Sequence, residues 1–213
     1  HVDLDWLHRQ GIAFSAAPGC NARAVAEYVA TVLALHAERE GADLAACRLG
    51  IVGLGHVGRQ VLALAQALGM ACAVHDPLLL PADRAGLASL SLPELLDWAD
   101  IITLHVPLTT GGPAPTRHLL DGDRLASGRW RLLVNTARGP VVDNRALLAA
   151  LAARPDRQVV LDVWEDEPAV PPALLARAWL GTPHIAGYSQ EGKWRGTAAV
   201  RAAAATMLGL PVG

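Results

Sequence analysis

Three segments in the second half of the chain contain side chains suited to proton or carboxylate chemistry. The segments are 135–139, 161–168 and 182–188. Together they contribute one arginine, Arg138, several acids and one histidine, His184. An imidazole titrates near neutral pH and can take a hydroxyl proton while the adjoining carbon gives up hydride. A carboxylate behind it orients the ring, and a guanidinium binds a substrate carboxylate through two parallel hydrogen bonds. Together these side chains suit the oxidation of a 2-hydroxy acid.

Each of these side chains also has an ordinary structural explanation. A single histidine after a proline, as at His184, is more often a surface or packing residue, and an arginine beside a glycine is usually solvated. Glu165, Asp166 and Glu167 taken alone form an exposed acidic run. Only the joint placement of the three segments, where strands in the second half of the sheet are expected to end, favours a catalytic role, because ligands of open α/β folds bind at strand ends.

A glycine-rich loop earlier in the chain predicts a dinucleotide site. Gly53, Gly55 and Gly58 form the pattern G-x-G-x-x-G between an apolar strand and a helix. The first glycine permits a tight turn, the second lets the backbone approach a pyrophosphate, and the third lets the helix pack on the strand. The N–H groups at the helix N-terminus attract phosphate. Without context, such a loop is as often a turn that binds nothing.

Asp76 supplies that context, eighteen residues after Gly58. It ends the next apolar strand, where a carboxylate accepts hydrogen bonds from an adenosine ribose. The same charge repels a 2'-phosphate, and the next arginine is Arg84, so NAD is favoured over NADP. Asp76 before Pro77 is also a turn former, which is compatible with this role. An FAD or S-adenosylmethionine domain can show a similar loop, and the rest of the chain must decide between them.

Strand and helix patterns alternate along the chain, which predicts five or six parallel strands. The strands are predicted at 11–14, 49–52, 71–75, 101–105, 131–134 and 158–163. Helices are predicted at 21–39, 57–68, 92–98, after 121, at 144–152 and at 191–208, with loops at 108–115 and 166–172. Asn21 and Asp143 are expected as helix N-caps.

Composition excludes several classes of protein. Of the 213 residues 52% are hydrophobic and 18% charged, with a formal net charge of −2. This length and composition suit one large α/β domain, and the charge gives no general attraction to nucleic acid or to a membrane surface. No apolar run is long enough to span a membrane. The expected partner is a small molecule.

The histidines and cysteines give no sign of a metal site. No histidine pair has the i,i+4 helix spacing of a zinc site. The three cysteines lie in no metal-ligand spacing, and no secretory signal pattern is present. We therefore expect a protein of the cytoplasm that binds no metal.

Four motifs in order resemble the D-isomer-specific 2-hydroxyacid dehydrogenases, and they span nearly all the chain. They are Gly53-x-Gly55-x-x-Gly58 and the segments 135–139, 162–168 and 182–184. The resemblance implies an α/β fold with a doubly wound parallel sheet, the Rossmann NAD-binding domain of that family. Segments 15–22, 142–144 and 184–197 further resemble one branch of the family, whose substrate is a phosphorylated 2-hydroxy acid.

The resemblance also implies roles for single residues. Arg138 binds the substrate carboxylate, Glu167, which directly precedes Pro168, is the partner of the base, and His184 is the acid/base. Tyr188 touches the substrate together with Arg138. The implied NAD contacts are Gly53, Gly55, His56, Val57, Gly58, Asp76, Val106, Thr136, Ala137, Arg138, Asp162 and Gly187. Among them, His56 and Val57 would meet the pyrophosphate and Asp162 the nicotinamide amide.

We expect the chain to be part of a longer enzyme. Residues 1–20 would be the remnant of a substrate-binding lobe, 21–187 the NAD-binding domain, and 188–213 a C-terminal helix returning toward that lobe. The rest of the lobe and a C-terminal dimerisation domain would be missing, and the full-length protein would be a homodimer. Lys193 and Arg195 either help to hold a phosphate or are solvated.

Two other interpretations remain open at this stage. A different D-2-hydroxy acid, such as a phosphoglycerate, glyoxylate or hydroxypyruvate, would keep the chemistry and change the substrate. A module that senses NAD(H) without catalysis would keep only the binding. In either case the chain alone could bind NAD without turnover, because half of the cleft would be absent.

Overall fold

The strands of the computed structural model, which describes residues 2–84 and 86–211, form one parallel sheet. Within these residues they are β1 (Arg48–Val52), β2 (Ala71–His75), β3 (Ala88–Ser89), β4 (Ile101–Leu104), β5 (Leu132–Asn135), β6 (Gln158–Leu161) and β7 (Leu180–Gly181). Their order across the sheet is β3-β2-β1-β4-β5-β6-β7. The order reverses between β1 and β4, which is the doubly wound arrangement. The predicted fold class is confirmed.

Helices cover both faces of this sheet. In the described residues they are α1 (Leu4–Arg9), α2 (Ala22–Glu40), α3 (His56–Ala67), α4 (Leu92–Trp98), α5 (Gly122–Ala126), α6 (Asn144–Ala153), α7 (Pro172–Arg177) and α8 (Gln190–Leu208). Short 3-10 turns lie at Leu44–Ala46, Pro81–Arg84 and Gly139–Val141. None of the helices in the described residues combines the length and apolar character needed to cross a bilayer.

The strands are apolar on both sides because alternate residues enter two separate cores. Ile101 packs with α2 and α3 on one face, and its neighbour Ile102 packs with α4, α5 and α6 on the other. Successive side chains of a strand point to opposite faces, so a sheet covered twice needs continuous apolar runs. This double cover leaves the carboxyl ends of the strands as the edge where polar side chains gather.

Several predicted boundaries are confirmed. β2 and α4 have the predicted bounds, and Asp143 accepts a hydrogen bond from the Ala146 N–H at 2.8 Å as the N-cap of α6. Ser91 fixes the N-terminus of α4 through a capping box. Its hydroxyl accepts a hydrogen bond from the Glu94 N–H, and the Glu94 carboxylate accepts one from the Ser91 N–H.

The predicted strand at 11–14 is wrong. The chain forms α1 just before it and then runs without a strand, with Ile12 and Phe14 about half exposed. An apolar run of four residues without a neighbouring strand cannot form a ladder of backbone hydrogen bonds, so its pattern alone does not make a strand. Asn21 stands at the start of α2 as expected, but its side chain makes no capping hydrogen bond.

Four short helices and strands of the described residues were not predicted. The strands β3 and β7 have two residues each at the two edges of the sheet, and α7 starts at Pro172, at the end of the predicted loop. The fourth is the six-residue helix α1. Elements this short carry too few residues for a hydrophobic period to be visible.

A buried arginine holds the start of β6 to the end of α5. Arg157 is 3% exposed and donates hydrogen bonds to the carbonyl groups of Leu125, Ser127 and Gly128. Its guanidinium carbon lies 4.0 Å from the ring centroid of Trp130. Burial lowers the pKa of Arg157, and the carbonyl dipoles and the aromatic face replace its hydration.

Replacing this arginine should destabilise the fold. We expect Arg157→Met to lower the free energy of unfolding by about 1–3 kcal/mol, because it leaves buried carbonyl groups without donors. Urea denaturation followed by circular dichroism measures the change. Arg154→Met is the matched control, since Arg154 is exposed and paired with Asp156, and we expect a change within about 0.5 kcal/mol. Equal effects of both substitutions would contradict this role.

Candidate active site

Two of the three loop glycines are required by the packing of the chain itself. Gly53 has φ +91°, and a Cβ there would lie 2.7 Å from the carbonyl oxygen of His105. A Cβ on Gly58 would overlap the carbonyl oxygen of Gly53, so the turn and α3 approach each other as the sequence predicts. These two positions therefore fix the turn between β1 and α3.

Gly55 is different because the space around it is open. A Cβ at Gly55 would meet no described atom within 4 Å, and its backbone conformation is one that other residues adopt. It is the N-cap of α3, and no side chain caps this helix end. His56 begins the helix, with its ring packed on Gly19. An open helix N-terminus of this kind fits a phosphate group.

Asp76 ties the glycine turn to the next strand. Its Oδ2 accepts a hydrogen bond from the Leu54 N–H at 2.8 Å, and its Oδ1 accepts one from the Leu78 N–H at 3.1 Å. The side chain is half-buried and lines a cleft of about 220 Å³ together with Gly53, Gly55 and Val106. A carboxylate at the wall of this cleft is placed for a ribose, and that contact stays a prediction.

The opposite wall of the cleft contains residues that the sequence reasoning missed. His105 follows β4, and its Nε2 lies 2.9 Å from the Thr103 hydroxyl. Burial lowers the pKa of His105 to about 3, so the ring is neutral at physiological pH. Thr116 donates to the Pro107 carbonyl and accepts from the Thr109 N–H, which folds the following loop over the cleft. His105 could have been predicted as a residue of this cleft because it stands at the end of a predicted strand.

The two side chains of the predicted acid/base pair are in contact. The Nδ1 of His184 lies 3.0 Å from Oε1 of Glu167, although the two residues are 17 apart in sequence. Their side chains are 48% and 32% exposed. The other ring nitrogen of His184 makes no hydrogen bond within the described residues. His184 has φ +57°, a left-handed conformation that few histidines adopt.

A buried carboxylate holds this unusual turn. Asp162 is 1% exposed, and its Oδ1 accepts hydrogen bonds from the Thr182 hydroxyl at 2.6 Å and from the Ile185 N–H at 2.8 Å. Its Oδ2 accepts from the Ala186 N–H at 2.9 Å, and its carbonyl accepts from the His184 N–H at 2.8 Å. Asp162 thus anchors the 182–186 turn, a role that the sequence reasoning missed, and its nicotinamide contact stays a prediction.

The anchor continues into α2. The Tyr28 hydroxyl lies 2.7 Å from the Thr182 hydroxyl, which itself donates to Asp162. Burial raises the pKa of Tyr28, which keeps its phenol protonated. A chain of polar contacts therefore joins the ends of β6 and β7 to the long helix.

Arg138 lies in a turn after β5, and a buried side chain fixes this turn through hydrogen bonds. The buried Asn135 donates to the Arg138 carbonyl at 3.1 Å and accepts from the Ala137 N–H at 3.0 Å. The Arg138 side chain is exposed, and its Nη1 donates to the Ala137 carbonyl at 2.6 Å. The hydroxyl of Thr136 is buried without a hydrogen-bond partner in the described residues. An unpartnered donor at a predicted cofactor position fits a bound ligand.

Tyr188 and Gly187 follow the histidine turn. Gly187 packs so closely on Asn21 that a Cβ would lie 2.6 Å from the Asn21 amide nitrogen. Tyr188 is 72% exposed, and the Lys193 ammonium lies 3.6 Å from its ring centroid. The lysine lowers the pKa of the Tyr188 phenol. Both residues lie beside His184, and their contacts with ligands stay predictions.

A doubly wound parallel sheet with an open glycine turn and a following acidic residue defines a dinucleotide-binding domain. A histidine–glutamate pair stands at the same edge of the sheet. Residues 21–186 match the family model of the D-isomer specific 2-hydroxyacid dehydrogenase NAD-binding domain. The chain belongs to this family.

Curated relatives carry a narrower name. Erythronate-4-phosphate dehydrogenase of Azotobacter vinelandii is 49% identical over 216 residues, which cover 100% of this chain and 56% of the relative. The enzyme of the same name from Edwardsiella ictaluri is 52% identical, with 99% of this chain and 56% of the relative covered. The chain thus spans about half the length of these relatives.

Solved structures share the fold. A glyoxylate reductase from Paecilomyes thermophila is 31% identical with a TM-score of 0.77, covering 98% of this chain and 70% of that one. A D-lactate dehydrogenase from Aquifex aeolicus, solved with NAD and lactic acid, is 26% identical with a TM-score of 0.76, covering 98% and 73%.

Gly55 separates cofactor binding from folding. We expect Gly55→Val to weaken NADH binding at least about tenfold, because its side chain would occupy the open space at the α3 N-terminus. Its free energy of unfolding should change by no more than about 0.5 kcal/mol. NADH fluorescence titration and urea denaturation measure the two effects.

Gly111→Val is the matched control. Gly111 also has open space around it and no left-handed conformation, and it does not line the cleft. This variant should bind NADH as the unchanged chain does. Unaltered affinity in the Gly55 variant would show that the pyrophosphate does not lie there.

Proposed function

We propose that the full-length protein oxidises 4-phospho-D-erythronate to its 2-oxo acid with NAD, a reaction of pyridoxal 5'-phosphate biosynthesis. The observation that carries the proposal is the 3.0 Å contact between His184 and Glu167 at the edge of the sheet that also holds the dinucleotide cleft. The names of the curated relatives at 49% and 52% identity supply the substrate.

The chain's own residues can perform the proton chemistry. Glu167 accepts the Nδ1–H of His184, which fixes the ring tautomer and stabilises the imidazolium that forms. The free Nε2 takes the proton of the C2 hydroxyl as the C2–H bond breaks and the carbonyl forms. Arg138, exposed on the neighbouring turn, binds the C1 carboxylate through paired hydrogen bonds. Bound NAD supplies the hydride acceptor.

The cofactor would lie along the carboxyl ends of the strands. Gly53, Gly55 and the first residues of α3 would hold the pyrophosphate, and Asp76 the adenosine ribose. Val106 and the 136–138 turn would line the path toward the nicotinamide. The open space at Gly55 and the unpartnered hydroxyl of Thr136 support this placement.

The domain organisation follows from the same proposal. Residues 21–187 would be the NAD-binding domain, 1–20 the remnant of a substrate lobe, and 188–213 a helix directed toward that lobe. The full-length protein would be a cytoplasmic homodimer. Its partner would be a small phosphorylated 2-hydroxy acid, with no nucleic acid and no membrane involved.

A second candidate keeps the chemistry and changes the acid. The 31% identical glyoxylate reductase and the 26% identical D-lactate dehydrogenase share this fold at TM-scores of 0.77 and 0.76. Their lower identity makes them weaker guides to the substrate. A sensor without catalysis is disfavoured because Arg138 is present and the Glu167–His184 pair is formed.

Substrate turnover by the full-length protein tests the proposal directly. We expect NADH formation with 4-phospho-D-erythronate to exceed that with 3-phospho-D-glycerate, D-glycerate and D-lactate by at least about tenfold in kcat/KM. Absorbance at the NADH band measures the rates. Preference for another of these acids would favour the second candidate, and no turnover of any of them would favour the sensor.

Replacing the proposed base should remove the chemistry and spare the binding. We expect His184→Gln to lower kcat by about 10²–10⁴-fold, since an amide cannot exchange the proton, while the NADH dissociation constant stays unchanged. Gln66→Ala is the control, because Gln66 is an exposed residue near the C-terminal end of α3, outside the site. Steady-state kinetics and NADH titration separate the effects. A variant with full kcat would refute the role of His184.

A further inference from the structure

A second histidine–glutamate pair, His118 and Glu165, lies in the segments that follow β4 and β6. Neither residue belongs to the proposed acid/base pair. The Nε2 of His118 is 2.5 Å from Oε1 of Glu165. The Glu165 side chain is only 16% exposed, so the reading of Glu165 as part of an exposed acidic run is wrong. Glu165 stands two residues before Glu167, in the same turn after β6.

The carboxylate of Glu165 is held by more than the histidine. Its Oε2 accepts the N–H of Asn144, the first residue of α6, at 3.1 Å. In return the Glu165 N–H donates to Oδ1 of Asn144 at 3.3 Å, and Asn144 itself is 6% exposed. A carboxylate at a helix N-terminus is stabilised by the helix dipole. The backbone and the side chain of Glu165 are therefore both fixed to α6.

His118 is surrounded by charged groups on each segment packed against it. Besides Glu165, Oδ2 of Asp143 lies 3.8 Å from its Nδ1. Nη2 of Arg117 lies 3.7 Å from Oε1 of Glu165. His118 is thus placed between the carboxylate that caps α6 and the carboxylate of the 164–168 turn, and of these two only Glu165 lies within hydrogen-bond distance of its ring.

Backbone contacts hold together the three segments that follow β4, β5 and β6. The His118 N–H donates to the Pro140 carbonyl at 2.7 Å, and the Asp143 N–H donates to the Leu120 carbonyl at 3.0 Å. Gly139 packs on the backbone of Trp164 with no room for a Cβ. The His118–Glu165 pair therefore lies next to both the segment that begins with Arg138 and the turn that contains Glu167.

His118 adopts a conformation that the pair helps to hold. Its φ of +48° lies in the left-handed region, which costs a residue other than glycine about 1 kcal/mol or more. Such a conformation persists where neighbouring contacts fix it. The His118–Glu165 hydrogen bond and the His118 N–H bond to Pro140 provide those contacts.

We propose that His118 and Glu165 are positioning residues that fix the 164–168 turn and thereby hold Glu167 against His184. The inference rests on the proposed function, which makes Glu167 and His184 the acid/base pair. Glu167 is the more exposed of the two glutamates, at 32%, and within the described residues its side chain has a hydrogen bond to His184 but no set of contacts comparable to those of Glu165. Its position depends on the residue two places before it.

Kinetics of the full-length protein test the proposal. We expect His118→Ala to lower kcat about tenfold with the KM for NAD unchanged, because a small displacement of Glu167 misdirects the base. His118→Gln should restore kcat to within about threefold of the unchanged enzyme, since its amide N–H can donate to Glu165. Gln66→Ala, which changes an exposed side chain near the C-terminal end of α3, should leave kcat unaltered.

Hydrogen exchange of the backbone amides supplies a readout that needs no substrate. Peptides covering 164–168 should exchange faster in His118→Ala than in the unchanged protein. In His118→Gln and Gln66→Ala they should exchange at the same rate as in the unchanged protein. NADH titration confirms that each variant retains the folded cleft. If the unchanged protein turns over no 2-hydroxy acid, the proposed function fails, while hydrogen exchange still decides the positioning role.

Two kinds of result would contradict a positioning role for His118. Unchanged kcat in His118→Ala, or unchanged exchange at 164–168, would overturn the proposal. A loss of kcat that His118→Gln does not restore, or that comes with an equal loss of NADH affinity, would assign His118 a general structural role instead.

Discussion

The carboxylate of Asp162 lies at the end of β6 with 1% of its surface exposed, and the chain around it must satisfy the charge. An unpaired buried carboxylate would cost several kcal/mol, so the neighbouring backbone is drawn toward it. The Thr182 hydroxyl and the N–H groups of Ile185 and Ala186 provide the partners. His184 lies inside that bonded turn. The candidate base is thus held by the need to satisfy a different residue.

The sheet brings the other groups to the same edge. Parallel strands end together, so turns far apart in sequence become neighbours without contacting each other along the chain. Asn135 fixes the turn after β5 from its buried amide, and Gly139 presses that turn against the backbone of Trp164. At the β1 end, Gly53 and Gly58 close the turn and leave Gly55 open. A bound dinucleotide requires both features, turns that are held rigidly and open space beside them.

Much of this architecture could be predicted from local sequence. β2 and α4 have the predicted bounds because each is a clean apolar pattern between strong end signals, such as the Ser91 capping box. The two-residue edge strands could not be found, since their existence depends on a neighbouring strand. The run at 11–14 has the composition of a strand and lacks a partner. Pairing is a property of the whole fold, and a local pattern does not contain it.

The site divides in the same way. The glycine loop and Asp76 are visible because their spacing reflects the geometry of one βαβ unit. Their expected position at strand ends placed the segments of Glu167 and His184 together, but only the family resemblance selected Glu167 among several acids, because no rule of local spacing joins residues 17 apart. The anchoring role of Asp162 and the contact of His118 with Glu165, 47 residues away, depend on how the turns pack. Hydrogen bonds between loops were therefore beyond the sequence argument.

The buried Arg157 gives the opposite end of β6 a different character. Its partners are carbonyl groups and an indole ring, none of which titrates, and a guanidinium stays charged even where burial lowers its pKa. The contacts of Arg157 therefore attach β6 to the end of α5 through acceptors that carry no net charge. After the carboxyl end of the strand, the carboxylates of Asp162 and Glu167 instead contact Thr182 and His184. The two ends of one strand are thus fixed by different chemistry, neutral acceptors at one end and carboxylates at the other.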